Sequence, residues 1–250
     1  MEKYLTINEN GCSIRCKLIC KDMHTIQQMI IFCHGFGGHK DNHAASRFAE
    51  HLISKYKTAA LLAFDWPAHG QDAKGKLRLS DCELYLQTVV DYIKNQYTDH
   101  IYVYGNSFGA YITLKYIHDH GNPFQKIAFR SPSVDMYYTL TNKVLSPEDL
   151  KKLSKGKDVL AGFDRKVKID QTYLDEIKDA NIANQDFIPY CEDILMIHGS
   201  EDEVVPYESI YQFADNNIIE LITVKGADHR FRNPKVMDAA HNDILKFFNL

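Results

Sequence analysis

In Gly105-Asn106-Ser107-Phe108-Gly109 a serine stands between two glycines, after an apolar run and before a helical pattern. That setting gives Gly-x-Ser-x-Gly its meaning as a nucleophile elbow, because a tight strand-to-helix turn projects the hydroxyl away from the sheet. Glycines two residues to either side let neighbouring backbone pass without a Cβ clash, and the following helix points its first amides at developing negative charge. The bare pattern also describes an ordinary glycine-rich turn; the position between strand and helix favours the nucleophile. A serine hydroxyl is a poor nucleophile at neutral pH, so it needs a base within hydrogen-bond reach and an acid that fixes the base's tautomer. The candidate base is His229, in Gly226-Ala227-Asp228-His229 beyond a β-rich run, although a surface loop is the plainer home for one histidine among 12. The candidate acid is Asp202, in His198-Gly199-Ser200-Glu201-Asp202-Glu203-Val204-Val205-Pro206, after another buried run.

These side chains need a scaffold that brings distant loops together. Strands are expected at Tyr4 to Ile7, Cys12 to Ile19 after a turn at Asn10-Gly11, Met29 to Cys33, Ala59 to Phe64, Ile101 to Tyr104, Lys126 to Phe129, Ile194 to His198 and Ile219 to Val224. Helices are expected around Phe48, Leu52 and Ile53, from a Ser80/Glu83 capping box through Ile93, from Ser107 to His120, near Tyr207 to Asp215, and from Pro234 to Phe248. Such alternation implies a parallel sheet covered on both faces. It breaks between Ser131 and Tyr190, where only helical segments (Pro147 to Leu153, Thr172 to Ala180) and one weak strand, Lys166 to Ile169, are expected. Residues 134–187 read as an insertion, with 9 Lys and Arg against 10 Asp and Glu, and therefore not as a basic membrane-docking patch.

Composition bounds the function. A chain of 250 residues, 45% apolar and 25% charged, has enough length for one large domain with a sizeable core. Lys and Arg number 29 against 33 Asp and Glu, with neither sign gathered into a block, which argues against nucleic acid or an anionic membrane as main partners. The six cysteines contain no Cys-x-x-Cys pair, and no apolar leader precedes Glu9, so a reducing cytoplasm is the expected location. Cys12, Cys16 and Cys20 fall on one face of an expected strand and read as buried core. No membrane span is expected. His34, His39 and His43 lack the carboxylates or cysteines of a metal site, and no phosphate-cradling loop is present, so no metal and no cofactor are expected.

Taken together, the serine, acid and histidine motifs in that chain order resemble the α/β-hydrolase superfamily along nearly the whole chain. With the helical insertion and His34-Gly35-Phe36-Gly37-Gly38, the sequence looks most like bacterial cinnamoyl and feruloyl serine esterases, relatives of monoacylglycerol lipase and serine aminopeptidase-like hydrolases. The resemblance implies an α/β-hydrolase fold: a mostly parallel sheet of about eight strands, helices on both faces and a small helical cap. The core would be residues 1–133 and 188–250, and the cap 134–187. The family's His-Gly-x-x-Asp-x-x-Val-Pro maps onto Asp202 rather than Glu201 or Glu203, and its histidine onto His229. The oxyanion donors implied are the backbone amides of Phe36 and Phe108. Asp65-Trp66-Pro67-Ala68-His69-Gly70-Gln71-Asp72 resembles a family turn and reads as structural.

The sequence departs from the family at Asn106, Phe108 and Ala110, where His, Gln or Met, and Gly are common; these changes alter the elbow's surroundings and leave the candidate triad intact. Tyr137, Tyr138, Phe163 and Tyr173 in the insertion are candidates for a pocket wall or for glue between cap and core. The resemblance implies a serine carboxylesterase acting on a small-molecule ester, hydroxycinnamate esters among the candidates, through Ser107, His229, Asp202 and an acyl-enzyme. A peptidase or thioesterase on the same triad, and a binding protein that has lost turnover, are the alternatives. The sequence leaves a homodimer open.

Overall fold

A computed structural model describes residues 1–73 and 75–250 and, of Asp72, the backbone alone. Strands β1 (Glu2–Ile7) and β2 (Ile14–Cys20) pair antiparallel through the Asn10-Gly11 turn, where both residues take positive φ, 52° and 75°. Strand and helix then alternate: β3 (Gln28–Cys33), α1 (His43–Lys55), β4 (Ala59–Phe64), α2 (Leu79–Gln96), β5 (Ile101–Asn106), α3 (Phe108–His120) and β6 (Lys126–Arg130). The segment after β6 holds α4 (Met136–Thr139), a π-helical turn at Leu140–Val144, α5 (Pro147–Leu153), the antiparallel pair β7 (Val159–Ala161) and β8 (Val167–Ile169), and α6 (Gln171–Ala180). The alternation resumes with β9 (Ile194–Gly199), α7 (Tyr207–Asn216), β10 (Glu220–Val224) and α8 (Pro234–Phe248).

Among the described residues the main sheet has eight strands in the order β1-β2-β4-β3-β5-β6-β9-β10, parallel from β4 onward. The period of two in each strand divides its apolar residues between two cores. Ile31, Leu62, Val103 and Met196 face α2 and α3 on one side, while Ile30, Leu61, Tyr104 and Leu195 face α1 and α8 on the other. Val134, Tyr173, Ile177 and Phe187 from the inserted segment join the first of these cores. Because β3 is followed by β4 on one side and flanked by β5 on the other, the strand order reverses between β3 and β5. The loops leaving their carboxyl ends therefore open a crevice, the usual ligand position in an open α/β sheet.

Three local expectations are corrected. Cys12 lies before β2 and is half-buried, whereas Cys16 and Cys20 are buried within the strand. The Ser80/Glu83 capping box is not used. Helix α2 starts at Leu79, and its Leu79 amide donates to Glu176 Oε2 at 3.0 Å, so a carboxylate from α6 satisfies the helix end from outside. Asp170 caps α6 in turn and is clasped by Arg78 at 2.9 and 2.7 Å. The Arg78 guanidinium lowers the Asp170 pKa to about 2. The third correction is β7, a strand absent from the sequence reading; its three residues are too few to show a period. No helix among the described residues is long and apolar enough to cross a membrane.

Candidate active site

Ser107 occupies the one-residue turn between β5 and α3 at φ 48° and ψ −108°, a conformation that costs a residue with a Cβ about 1–3 kcal/mol. The turn is held tightly from both sides. A Cβ at Gly109 would lie 2.0 Å from the Cys33 carbonyl oxygen, so the glycine is what lets α3 start against the end of β3. The Ser107 amide donates to the Arg130 carbonyl at 3.3 Å, and its own carbonyl accepts from Ser133 at 3.3 Å.

Asp202 and His229 come together across the ends of β9 and β10. Gly199 packs against the Ala227 carbonyl so closely that a Cβ would meet it at 2.1 Å, which draws the histidine loop over the β9 terminus. The Asp202 side chain is fully buried; its Oδ1 accepts from the Val204 and Val205 amides at 2.9 and 2.8 Å, and its Oδ2 lies 2.8 Å from His229 Nδ1. Burial pushes its pKa up, but the His229 hydrogen bond and charge, with the Val205 amide, outweigh burial and hold the carboxyl below its usual value. An ionised carboxylate only accepts, so His229 Nδ1 carries the proton and Nε2 is left as the basic nitrogen. His198 lies beneath the pair, its Nε2 3.0 Å from the Val205 carbonyl and 3.4 Å from Asp202 Oδ2; burial depresses its pKa.

Ser107 and His229 line a single cavity of about 440 Å³ with Gly35, Phe36 and Asn106. Among the described residues no hydrogen bond joins the Ser107 hydroxyl to the imidazole; in resting sites such bonds are commonly long and tighten around substrate. The candidate oxyanion loop lies alongside, since a Cβ at Gly35 would be 3.5 Å from Ser107 Cβ. Phe36 and Phe108 touch edge to face at 5.7 Å between ring centres, and neither backbone amide meets a protein acceptor among the described residues. Buried His34 anchors this loop. Its carbonyl accepts from Trp66 Nε1 at 2.9 Å, its Nε2 accepts from the Trp66 amide at 3.3 Å, and burial keeps the ring neutral.

The far end of the same loop is tied by a buried ion pair. Asp65 accepts from the Lys40 amide at 2.7 Å and from Lys40 Nζ at 3.0 Å, and both side chains are at most 5% exposed. Removing Asp65 leaves the buried Lys40 ammonium with only the partly exposed Asp41 carboxylate, at 3.5 Å, so Asp65→Ala is expected to cost about 3 kcal/mol, the low end for a broken buried pair. Urea unfolding monitored by Trp66 fluorescence measures this; a loss below about 1 kcal/mol, the scale of a surface pair, would show that the pair is not buried in solution.

Of the four insertion aromatics named from the sequence, only Phe163 lines the cavity. Tyr138 is exposed, Tyr173 is sealed in the core, and Tyr137 packs beneath Lys178 Nζ. Sequence reasoning missed the residues that hold the His229 backbone: its carbonyl accepts from Ser131 Oγ at 2.8 Å and Arg130 Nη1 at 3.2 Å, and its amide donates to Glu203 at 3.1 Å. A charged residue closing the apolar run Lys126-Ile127-Ala128-Phe129-Arg130 is the signal that could have found Arg130. Elsewhere His51, Asp238 and His241 gather on α1 and α8 with ligand-type atoms within 4.8 Å of one another, but both Asp238 oxygens are already engaged by Arg47 at 2.5 and 2.7 Å.

The prolyl oligopeptidase family model matches residues 56–250. No curated protein sequence matches the chain. Among solved structures, Est1E from Butyrivibrio proteoclasticus superposes with a TM-score of 0.75 at 20% identity, covering 99% of each chain. It has also been solved with ferulic acid bound. Mouse alpha/beta hydrolase domain-containing protein 10 gives 0.75 at 16% identity over 99% of this chain and 98% of that one. A soluble variant of the Saccharomyces cerevisiae monoglyceride lipase, in complex with a substrate analog, gives 0.74 at 15% over 100% and 94%. At these identities the likeness is one of fold, and the fold is that of the α/β-hydrolases.

Proposed function

This chain belongs to the prolyl oligopeptidase family and is a serine hydrolase, and on that premise we propose that it is a carboxylesterase of small esters, with Ser107, His229 and Asp202 as its catalytic triad. The observation that carries the reading is the 2.8 Å contact between His229 Nδ1 and the buried Asp202 carboxylate, with the imidazole lining the cavity that holds Ser107 on its strained turn. His229 Nε2 takes the Ser107 proton as Oγ attacks the ester carbonyl carbon. The oxyanion that forms is met by the Phe36 and Phe108 amides, each worth about 3 kcal/mol when aimed at it. The imidazolium returns its proton to the departing alcohol, and water, activated by the same nitrogen, releases the acid from the acyl-enzyme.

Residues 134–187 act as the cap in this reading. Met136, Leu140, Val144 and Phe163 give the cavity an apolar wall from that segment, and the volume falls within the roughly 300–1,000 Å³ of small-molecule sites. Ferulic acid in a protein of the same fold makes hydroxycinnamate esters the first to try. The family match favours a second reading, cleavage of peptide amides. Initial rates on methyl ferulate, short-chain aryl esters and aminoacyl anilides separate the two. Ester turnover well above amide turnover is the expected result, and the reverse would make the protein a peptidase.

A further inference from the structure

The cavity is lined by arginines that differ in one respect. Arg47 is paired with Asp238 at 2.5 Å, Arg230 with Asp164 at 2.6 Å, and Arg232 with Asp228 at 2.7 Å. Arg130 and Arg165 also line the cavity, and neither has a carboxylate within ion-pair distance among the described residues. Arg165 is exposed at the rim, where its backbone packs on Gly37 of the candidate oxyanion loop.

Arg130 is the unusual one, because only 6% of it is exposed. Its Nε donates to the Tyr104 hydroxyl at 3.2 Å, its Nη1 to the His229 carbonyl at 3.2 Å, and its guanidinium lies 5.2 Å from the centre of the Phe231 ring. Nη2 has no partner among the described residues. Holding the His229 carbonyl does not require a charge, since Ser131 Oγ already donates to it at 2.8 Å. A buried guanidinium without a counter-ion is costly, and neutral acceptors recover only part of its hydration. Its charge also reaches the neighbouring His241, whose pKa burial, and then Arg130, lowers to about 3.

We propose that the missing counter-ion is a carboxylate on the substrate, so that the preferred ester is anionic, with Arg130 binding the carboxylate at the cavity wall and Arg165 drawing it in from the rim. This rests on the reading of the cavity as an ester site. A guanidinium matches a carboxylate's planar oxygens, and a hydrogen bond between charged partners away from bulk water is stronger than a neutral one. Methyl ferulate carries no such charge, so it would be turned over more slowly than anionic esters of similar size, a hydroxycinnamate esterified to a hydroxy acid among them.

The test uses two isosteric pairs that differ in charge, one bearing it on the acyl side and one on the alcohol side. Mono-4-nitrophenyl adipate is compared with 4-nitrophenyl 6-methylheptanoate, and 4-acetoxybenzoate with 4-acetoxybenzamide. In at least one pair kcat/KM is expected to favour the anion by about 10- to 100-fold, the span of a charged hydrogen bond. In Arg130→Gln that ratio is expected to fall close to one, and in Arg165→Gln to fall several-fold with a steeper loss as salt is raised in the wild type. Each ratio is internal to its variant, so a general loss of rate from a displaced His229 does not move it. Calorimetry of monomethyl adipate against Ser107→Ala supplies a readout independent of turnover, with binding expected in that variant and lost when Arg130→Gln is added. No charge preference in either pair, with no binding of monomethyl adipate, would overturn the proposal. Binding of that anion without hydrolysis of any ester would instead sink the esterase reading and leave the anion site standing.

Discussion

Ser107→Ala is expected to lower kcat on a neutral aryl ester by about 10⁶-fold while leaving the protein folded. The loss is large because the three side chains act as a unit. Without Oγ, neither the base nor the oriented acid has a reaction to assist, and only residual help from binding and the oxyanion donors remains. The fold is expected to survive because alanine keeps the Cβ, and the deleted hydroxyl makes no hydrogen bond among the described residues. The strain at φ 48° persists in alanine. Ser107→Gly removes it and is therefore expected to be more stable than Ser107→Ala by about 1 kcal/mol, by thermal unfolding, with the same loss of activity. A fluorophosphonate probe should label the wild type at Ser107 and neither variant. Undiminished turnover in Ser107→Ala would remove the residue from the chemistry, and failure to label the wild type would favour a binding protein that has kept the fold.

Much of this was legible because the relevant signals are local. Ser107 and Asp202 follow β5 and β9, buried strands and the easiest elements to read, while His229 follows β10, a partly exposed edge strand marked by its Leu-Ile-Thr-Val run. The parallel sheet follows from their alternation with helices. What escaped depends on partners far apart in the chain. Glu176 reaches the start of α2 across 97 residues, and Arg130 reaches the His229 carbonyl across 99. No local pattern encodes either contact. The unused capping box shows the converse: Ser80 and Glu83 have the right spacing, but α2 already begins at Leu79, whose amide donates to the Glu176 carboxylate, so the local option is not taken. In the insertion, β7 and β8 pair through three residues each, and aromatic content alone did not separate Phe163, which faces the cavity, from Tyr173, which is buried beneath it.

Asp202→Asn is expected to lower kcat/KM by about 10⁴-fold with little change in the shape of the site. The effect turns on which atom donates. The asparagine Oδ1 still accepts from the Val204 and Val205 amides, so the amide NH₂ replaces Oδ2 opposite His229 Nδ1. Two donors cannot face each other. The imidazole must move its proton to Nε2, the nitrogen that has to be empty to receive the Ser107 proton, and the base is lost without being displaced. Asp202→Ala would remove the two backbone-amide contacts as well, so asparagine is the cleaner variant. The same carboxylate sets a dependence on pH. Its folded pKa lies below the ordinary carboxyl value, so its contribution to stability is complete above the unfolded value of about 3.9 and is lost as pH falls through the lower folded one. Wild type is therefore expected to exceed Asp202→Asn in urea stability at neutral pH, and the gap to narrow below about pH 4. A gap that stays constant through that range would mean that the carboxylate is not what His229 leans on, and a variant retaining more than about a tenth of wild-type kcat/KM would remove Asp202 from the relay.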